Sequence, residues 1–299
     1  MAANETSPWM APELEFDESV PAEKVGAFFD IDETLVRGAT AYWAAKEMFR
    51  RSVVDLKEVG YVARHTLYYF LFGESSKDKV ASLIDRAARI IEGIELADVE
   101  PLAEEVYEQY FVPKVYRATY ERLREHVEAG HAVYLVSATP WLIAESLARA
   151  LGAAGGIGTR TKILDGKFAG ELEGGLIHGE GKAVEARRVA KELGLDLDQS
   201  WAYSDSANDI PLLSLVGNPV AVNPDRKLAA HARNSGWPAV RAYDKVDVVK
   251  RVAGKTLVTA VAAGVLYLGL KSARRGGSAL GRAARGHSSR RRAPLGGVE

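Results

Sequence analysis

Two aspartates one residue apart close a short apolar run: residues 25–34 read Val-Gly-Ala-Phe-Phe-Asp-Ile-Asp-Glu-Thr. In an extended chain Asp30 and Asp32 project to the same side. Two carboxylates held together away from water are costly unless a cation or a shared proton relieves them, so the pair suits metal binding or acid–base work. Three further clusters follow in the chain: Ser137 after an apolar, β-branched run, Lys182 in Gly-Glu-Gly-Lys, and Asp205-Ser-Ala-Asn208-Asp209 after another apolar run. Oxygen ligands suit Mg²⁺, while a lysine and a hydroxyl suit the oxygens of a phosphoryl group. Singly, each has a structural reading too. The aspartates can decorate turns, Ser137 ahead of Pro140 can cap a helix, and Lys182 can be a solvated lysine. The six histidines show no ligand spacing and read as structural or surface residues.

These clusters need elements that bring them together. Residues 25–31 read as a first strand. Apolar spacings of three and four over 53–72, 77–91 and 99–110 read as helices, broken by Gly73, Gly93 and Pro113. The pattern then alternates: strands at 131–136 and 155–167, a tight Asp165-Gly166 turn into 168–172, strands at 200–203 and 219–222, and helices at 141–151, 181–193 and 210–215. Pro140 is placed to open the first of these helices. Alternating strands and helices imply an α/β fold with a parallel sheet covered on both faces. The helical block is then an insertion after the first strand. In such sheets the ligand site lies beyond the carboxyl ends of the strands, where the four clusters can converge.

Composition narrows the function classes. The chain has 299 residues and a net charge of −1, yet residues 271–299 carry eight basic side chains and one acidic, leaving an acidic body. That distribution does not describe a specific nucleic-acid-binding fold. The absence of cysteine excludes disulfides, thiolate metal sites and cysteine nucleophiles. Residues 1–24 lack the pattern of a signal peptide and read as a disordered segment of a cytoplasmic protein.

The ordered set Asp30-Ile-Asp32-Glu-Thr34, Val-Ser137-Ala-Thr, Gly-Glu-Gly-Lys182 and Tyr-Ser-Asp205-Ser-Ala-Asn208-Asp209 resembles the haloacid dehalogenase superfamily, in its phosphoserine-phosphatase-like branch, subfamily IB. The resemblance covers about residues 25–245, including Val222-Asn-Pro-Asp and Gly236-Trp-Pro. It implies a Rossmann-like parallel sheet core (25–37 plus 121–250) with helices on both faces and an inserted α-helical cap (38–120). It further implies a Mg²⁺-dependent phosphomonoester hydrolase working through an aspartyl-phosphate. In that scheme Asp30 is the nucleophile and Asp32 the general acid and base. Asp30, the Asp32 carbonyl and Asp205 hold Mg²⁺; Thr34, Ser137 and Lys182 meet the phosphate. Asp209 orients the metal site or Lys182, with Asn208 beside it.

Two departures bear on the substrate. Ala138 stands where phosphoserine phosphatases tend to have glycine, and Ala39 stands where they place a glutamate for the substrate ammonium. Both argue for a phosphomonoester other than a free amino acid phosphate. Tyr42, Trp43, Tyr61, Tyr68, Tyr69, Phe70 and Phe72 enrich the insertion in aromatics, read either as its own core or as an apolar substrate pocket. The stretch 256–270 has no charge; as a helix it reaches ~22 Å, short of a roughly 30 Å hydrocarbon core. Within an apolar C-terminal helix at 251–272 it is a candidate membrane anchor. The basic, disordered tail at 273–299 could then meet anionic lipid, and the substrate could be small or lipid-linked. The alternatives are a phosphotransferase of the same mechanism and a non-catalytic, membrane-tethered binding protein.

Overall fold

The computed structural model describes residues 16–38 except 18, then 40, 43, 47 and 50, and 88–106 and 111–242. The expected helices at 53–72 and most of 77–91, the aromatics other than Trp43, Ala39, and the segments 251–272 and 273–299 lie outside the described residues. Among the described residues no helix is long and apolar enough to cross a membrane.

The core is a parallel sheet. Strand β1 (Val25–Phe29) is buried along its whole length, as a strand covered on both faces must be. Around it lie β2 (Ala132–Pro140), β3 (Gly155–Thr159), β6 (Asp196–Ser204), β7 (Asn218–Val222) and β8 (Ala239–Val240). The order is β3-β2-β1-β6-β7-β8, and every pairing is parallel. Side chains alternate off β1: Phe29 joins one buried cluster with Leu123 and Leu147, and Phe28 joins the other with Val189, Leu212 and Leu228. Burying each ring is worth roughly 1.5–3 kcal/mol. The helices divide accordingly. The first cluster takes α2 (Arg117–Glu128) and α3 (Trp141–Leu151). The second takes α4 (Glu180–Leu193), α5 (Ile210–Leu213) and α6 (Arg226–Ser235). Helix α1 (Leu96–Val106) precedes α2 and starts three residues before the sequence pattern suggests.

The sequence reads 155–167 as one strand, whereas the chain breaks at Arg160. β3 stays in the main sheet; β4 (Thr161–Leu164) and β5 (Lys167–Leu172) form a separate antiparallel hairpin. Asp165 and Gly166 both have positive φ, 50° and 76°, as a two-residue hairpin turn needs. β3 packs directly on α3, where a Cβ on Gly156 would sit 2.2 Å from the Ala144 carbonyl carbon. Pro140 ends β2 as the residue before α3 rather than opening the helix.

Phe16, in the N-terminal segment, packs against the core. Its ring lies 4.5 Å from that of His131, 5.3 Å from that of His126 and 6.2 Å from that of Trp201 on β6. His126 of α2 is fully buried, with Nδ1 2.8 Å from His131 Nδ1 and Nε2 2.8 Å from the Tyr203 hydroxyl. Tyr203 stacks on Phe29 at 4.2 Å, so the pair braces the strands that deliver Asp30 and Asp205. Burial, then His131 and Arg122, pushes His126 down to about 3. Above the ordinary histidine pKa this costs nothing. As pH falls through 6.5 the unfolded chain gains a proton that the native state refuses, so stability is lost toward acid. The expected loss is on the order of 2–3 kcal/mol by about pH 4.5. Denaturant midpoints at neutral and acid pH should converge in His126→Gln relative to wild type; an unchanged pH dependence would refute the assignment.

Candidate active site

Strand register assembles the site. Phe29 pairs with Leu135 on one side and Tyr203 on the other. Asp30, one residue beyond Phe29, and Ser137 and Asp205, two beyond its partners, therefore lie near one level. The Asp30 amide donates to the Tyr203 carbonyl at 2.9 Å, which extends the pairing to the first aspartate.

Lys182 comes from the first turn of α4. A cation there opposes the helix dipole, and two carboxylates offset it: Nζ lies 2.5 Å from Asp30 Oδ1 and 2.6 Å from Asp209 Oδ2. All three side chains are almost wholly buried. Asp209 closes a 3₁₀ turn (Ala207–Asp209), and its Oδ2 also accepts from the Ser204 hydroxyl at 2.6 Å. Asp30 Oδ2 accepts from the Thr34 hydroxyl at 3.0 Å. A continuous chain of contacts thus runs Thr34–Asp30–Lys182–Asp209–Ser204.

Electrostatics follow from that geometry. Burial pushes Asp30 up to about 7, opposed by Lys182 and reinforced by Asp209 and Asp32. Burial lowers Lys182, but Asp30 and Asp209 together outweigh it and hold the ammonium well above its usual range. The two shifts point oppositely for the ion pair: one favours a neutral carboxyl, the other a firm ammonium. The contact distances decide for the ammonium, one cation shared by two carboxylates. Asp32 is half-buried; burial raises it, while its Oδ1 accepts from the Thr40 amide at 2.8 Å.

Of the other expected residues, Ser137 is buried and its Oγ accepts from the Thr139 amide at 3.1 Å. Asp205 is half-buried, and its carbonyl accepts from the Asp225 amide. Asn208 is exposed, its amide donating to Ser206 Oγ. Asp225 braces this loop, its two carboxylate oxygens accepting from Ala207 and Leu228 amides. Sequence reasoning missed Ser204, Thr40 and Asp225. Ser204 stood in the quoted Tyr-Ser-Asp, so adjacency to Asp205 was the available signal; Thr40 acts through its backbone and leaves none.

The donor set fits a hard divalent cation. Asp30 and Asp209 share Lys182, and Asp32 and Asp205 lie within two residues of Asp30 and Ser204, so the carboxylates outnumber the one ammonium and all the donors are oxygens. Among the described residues no three acidic or histidine side chains form a cage for a metal. Mg²⁺ does not need one, since it keeps several waters and takes one or two carboxylates. By contrast, a cavity of about 600 Å³ among Trp201, Leu213, Val216, Pro219 and Trp237 has no charged lining residue and sits by the start of β7.

Comparisons with known proteins agree with this geometry. The family model described as haloacid dehalogenase-like hydrolase matches residues 27–214. A Mycobacterium tuberculosis protein named phosphoserine phosphatase is 41% identical over 212 residues, 71% of this chain and 68% of its own. A Neisseria meningitidis protein named histidinol-phosphatase is 29% identical over 221 residues, 72% of this chain and 97% of its own. A crystal structure of a Bordetella pertussis protein of unknown function superposes with a TM-score of 0.66 at 27% identity, covering 74% of this chain and all of that one. With its parallel sheet and the order of its motifs, the chain belongs to the haloacid dehalogenase-like hydrolase family.

Proposed function

We propose that the chain is a Mg²⁺-dependent phosphomonoester hydrolase working through an aspartyl-phosphate on Asp30. The observation that carries this reading is the buried Asp30 carboxylate at the end of β1, gripped by Lys182 and Thr34, with Asp32 two residues on. Thr34 and Lys182 fix the carboxylate's rotamer, so attack on phosphorus needs little reorganisation. As the P–O bond to the leaving group breaks, Asp32 donates its proton to that oxygen. It then removes a proton from the water that cleaves the acyl phosphate, returning Asp30 and releasing inorganic phosphate. The raised pKa of Asp32 suits a group that must first be protonated. Ser137 already accepts from Thr139, which leaves its own proton for a phosphoryl oxygen. Mg²⁺, held by Asp30, the Asp32 carbonyl and Asp205, would screen the nucleophile from the anionic substrate and stabilise charge in transfer.

The relatives' names favour a small phosphomonoester as substrate. The lipid-linked alternative rests on 256–270 and on aromatics that, Trp43 apart, lie outside the described residues. Trp43 itself packs against the first core cluster, with Lys114 Nζ 4.1 Å from its ring centre.

Phosphate release from p-nitrophenyl phosphate and a panel of metabolite phosphates, with Mg²⁺ and with EDTA, tests the reading. Mg²⁺-dependent turnover is expected, and none on any substrate would leave a binding protein. Division of the phosphoryl group between water and an added alcohol separates hydrolysis from phosphotransfer. Asp32→Asn should slow alkyl phosphates by about 10²–10⁴-fold but p-nitrophenyl phosphate much less, because that leaving group departs without a proton. Equal losses on both would take the acid role from Asp32.

A further inference from the structure

Two non-glycine residues with left-handed backbone meet beside the site. Glu33, with φ of 62°, directly follows Asp32, and Asn223, with φ of 47°, directly follows β7. Such a conformation is strained for most side chains and most tolerable for asparagine. Asn223 is 2% exposed. Its Nδ2 donates to the Glu33 carbonyl at 3.0 Å, and its Oδ1 accepts from the Ala242 amide at 2.8 Å. The carbonyl can only accept and the amide N–H can only donate, so a single orientation of the Asn223 side chain satisfies both. The backbone N–H of Asn223 is fixed as well, donating to the Val240 carbonyl at 2.8 Å.

The Glu33 carbonyl belongs to a tightly wound turn. The amides of Leu35 and Val36 both donate to the Ile31 carbonyl at 2.9 Å, and the Glu33 amide donates to the Val36 carbonyl at 2.7 Å. The Tyr116 hydroxyl donates to the Glu33 carboxylate at 3.0 Å. That turn carries Asp32 on one side of Glu33 and Thr34, which holds Asp30, on the other. Rotation of the Glu33–Thr34 peptide would move the Thr34 hydroxyl off Asp30 and swing the Asp32 backbone.

We propose that Asn223 is a positioning residue for phosphoryl transfer: its side-chain amide clamps the Glu33 carbonyl and locks the turn that presents Asp32 and Thr34 to Asp30. The clamp spans 190 residues of sequence, joining the end of β7 to the loop after β1. It touches neither phosphate nor leaving group and acts through the turn. The proposal rests on the hydrolase reading above.

Two variants test it. Asn223→Gly removes the amide while keeping a residue at ease with positive φ. Asn223→Asp keeps the shape but sets a carboxylate oxygen against the Glu33 carbonyl. Both are measured for kcat and KM on p-nitrophenyl phosphate with Mg²⁺, for thermal midpoint, and for hydrogen exchange of the amides at 33–36. The expected result is a kcat about tenfold to a hundredfold lower with KM within about threefold, and faster exchange at 33–36. Wild-type kcat in both variants would overturn the proposal. So would a lower thermal midpoint with unchanged exchange at 33–36, which is the signature of a merely structural residue. If the wild-type chain hydrolyses nothing, the hydrolase reading fails on its own, and the exchange measurement still judges the clamp: unaltered exchange at 33–36 refutes it.

Discussion

Asparagine in place of Asp30 is expected to lower phosphate release by on the order of 10⁴-fold or more while the chain stays folded. The two side chains have the same shape, and the amide can still meet both neighbours. Its oxygen can accept from Lys182, and its NH₂ can donate to the Thr34 hydroxyl, which is able to accept. Lys182 keeps Asp209 at 2.6 Å as its counter-ion. Burial already pushes the Asp30 carboxyl up to about 7, so a neutral amide relieves a desolvation cost, and the thermal midpoint should stay level or rise. What is lost is the anionic oxygen that, in the proposed mechanism, attacks phosphorus. Intact-mass measurement after acid quench should show a phosphoryl adduct on the wild-type chain during turnover and none on Asp30→Asn. Activity untouched by the substitution would sink the nucleophile assignment, however well the fold matches.

Lys182→Met should act on stability as well as rate. It leaves the Asp30 and Asp209 carboxylates buried and close together, without the ammonium that lies 2.5 Å from one and 2.6 Å from the other. Stranding buried charge in this way costs about 3–5 kcal/mol, and, in the proposed mechanism, losing the positive group assigned to the phosphoryl oxygens costs on the order of 10²–10³ in rate. A divalent cation can replace part of the missing charge. Mg²⁺ should therefore raise the denaturant midpoint of Lys182→Met more than that of wild type, measured against EDTA. If the variant is as stable as wild type without Mg²⁺, the lysine does not neutralise the buried pair.

The first strand and the α/β alternation were legible because they are local. A run of five buried residues and the period of the helices repeat over distances a reader of sequence can see. The Asp165-Gly166 turn was legible for the same reason, since few residue pairs tolerate two positive φ angles. The break at Arg160 was not, because β3 and β4 are both extended and only their partners differ. Nothing local in the sequence showed that His126 and His131 would meet ring to ring and support Tyr203.

For the site, the sequence by itself determined the candidate groups: Asp30 and Asp32 one residue apart, and Ser137, Lys182, Asp205 and Asp209 in their order along the chain. Spacing and order are properties of the covalent chain, and they carried the family. Only the tertiary structure decided who holds whom. Lys182 reaches Asp30 across 152 residues and divides its charge with Asp209, and Asn223 reaches the Glu33 carbonyl across 190. Those contacts arise from strand order and register, which place β1 between β2 and β6 and put the ends of β6 and β7 beside the loop that follows β1. No periodicity in the sequence encodes a partner so far away. The physical cost of leaving buried charges and carbonyls unpaired selects those partners once the sheet has formed.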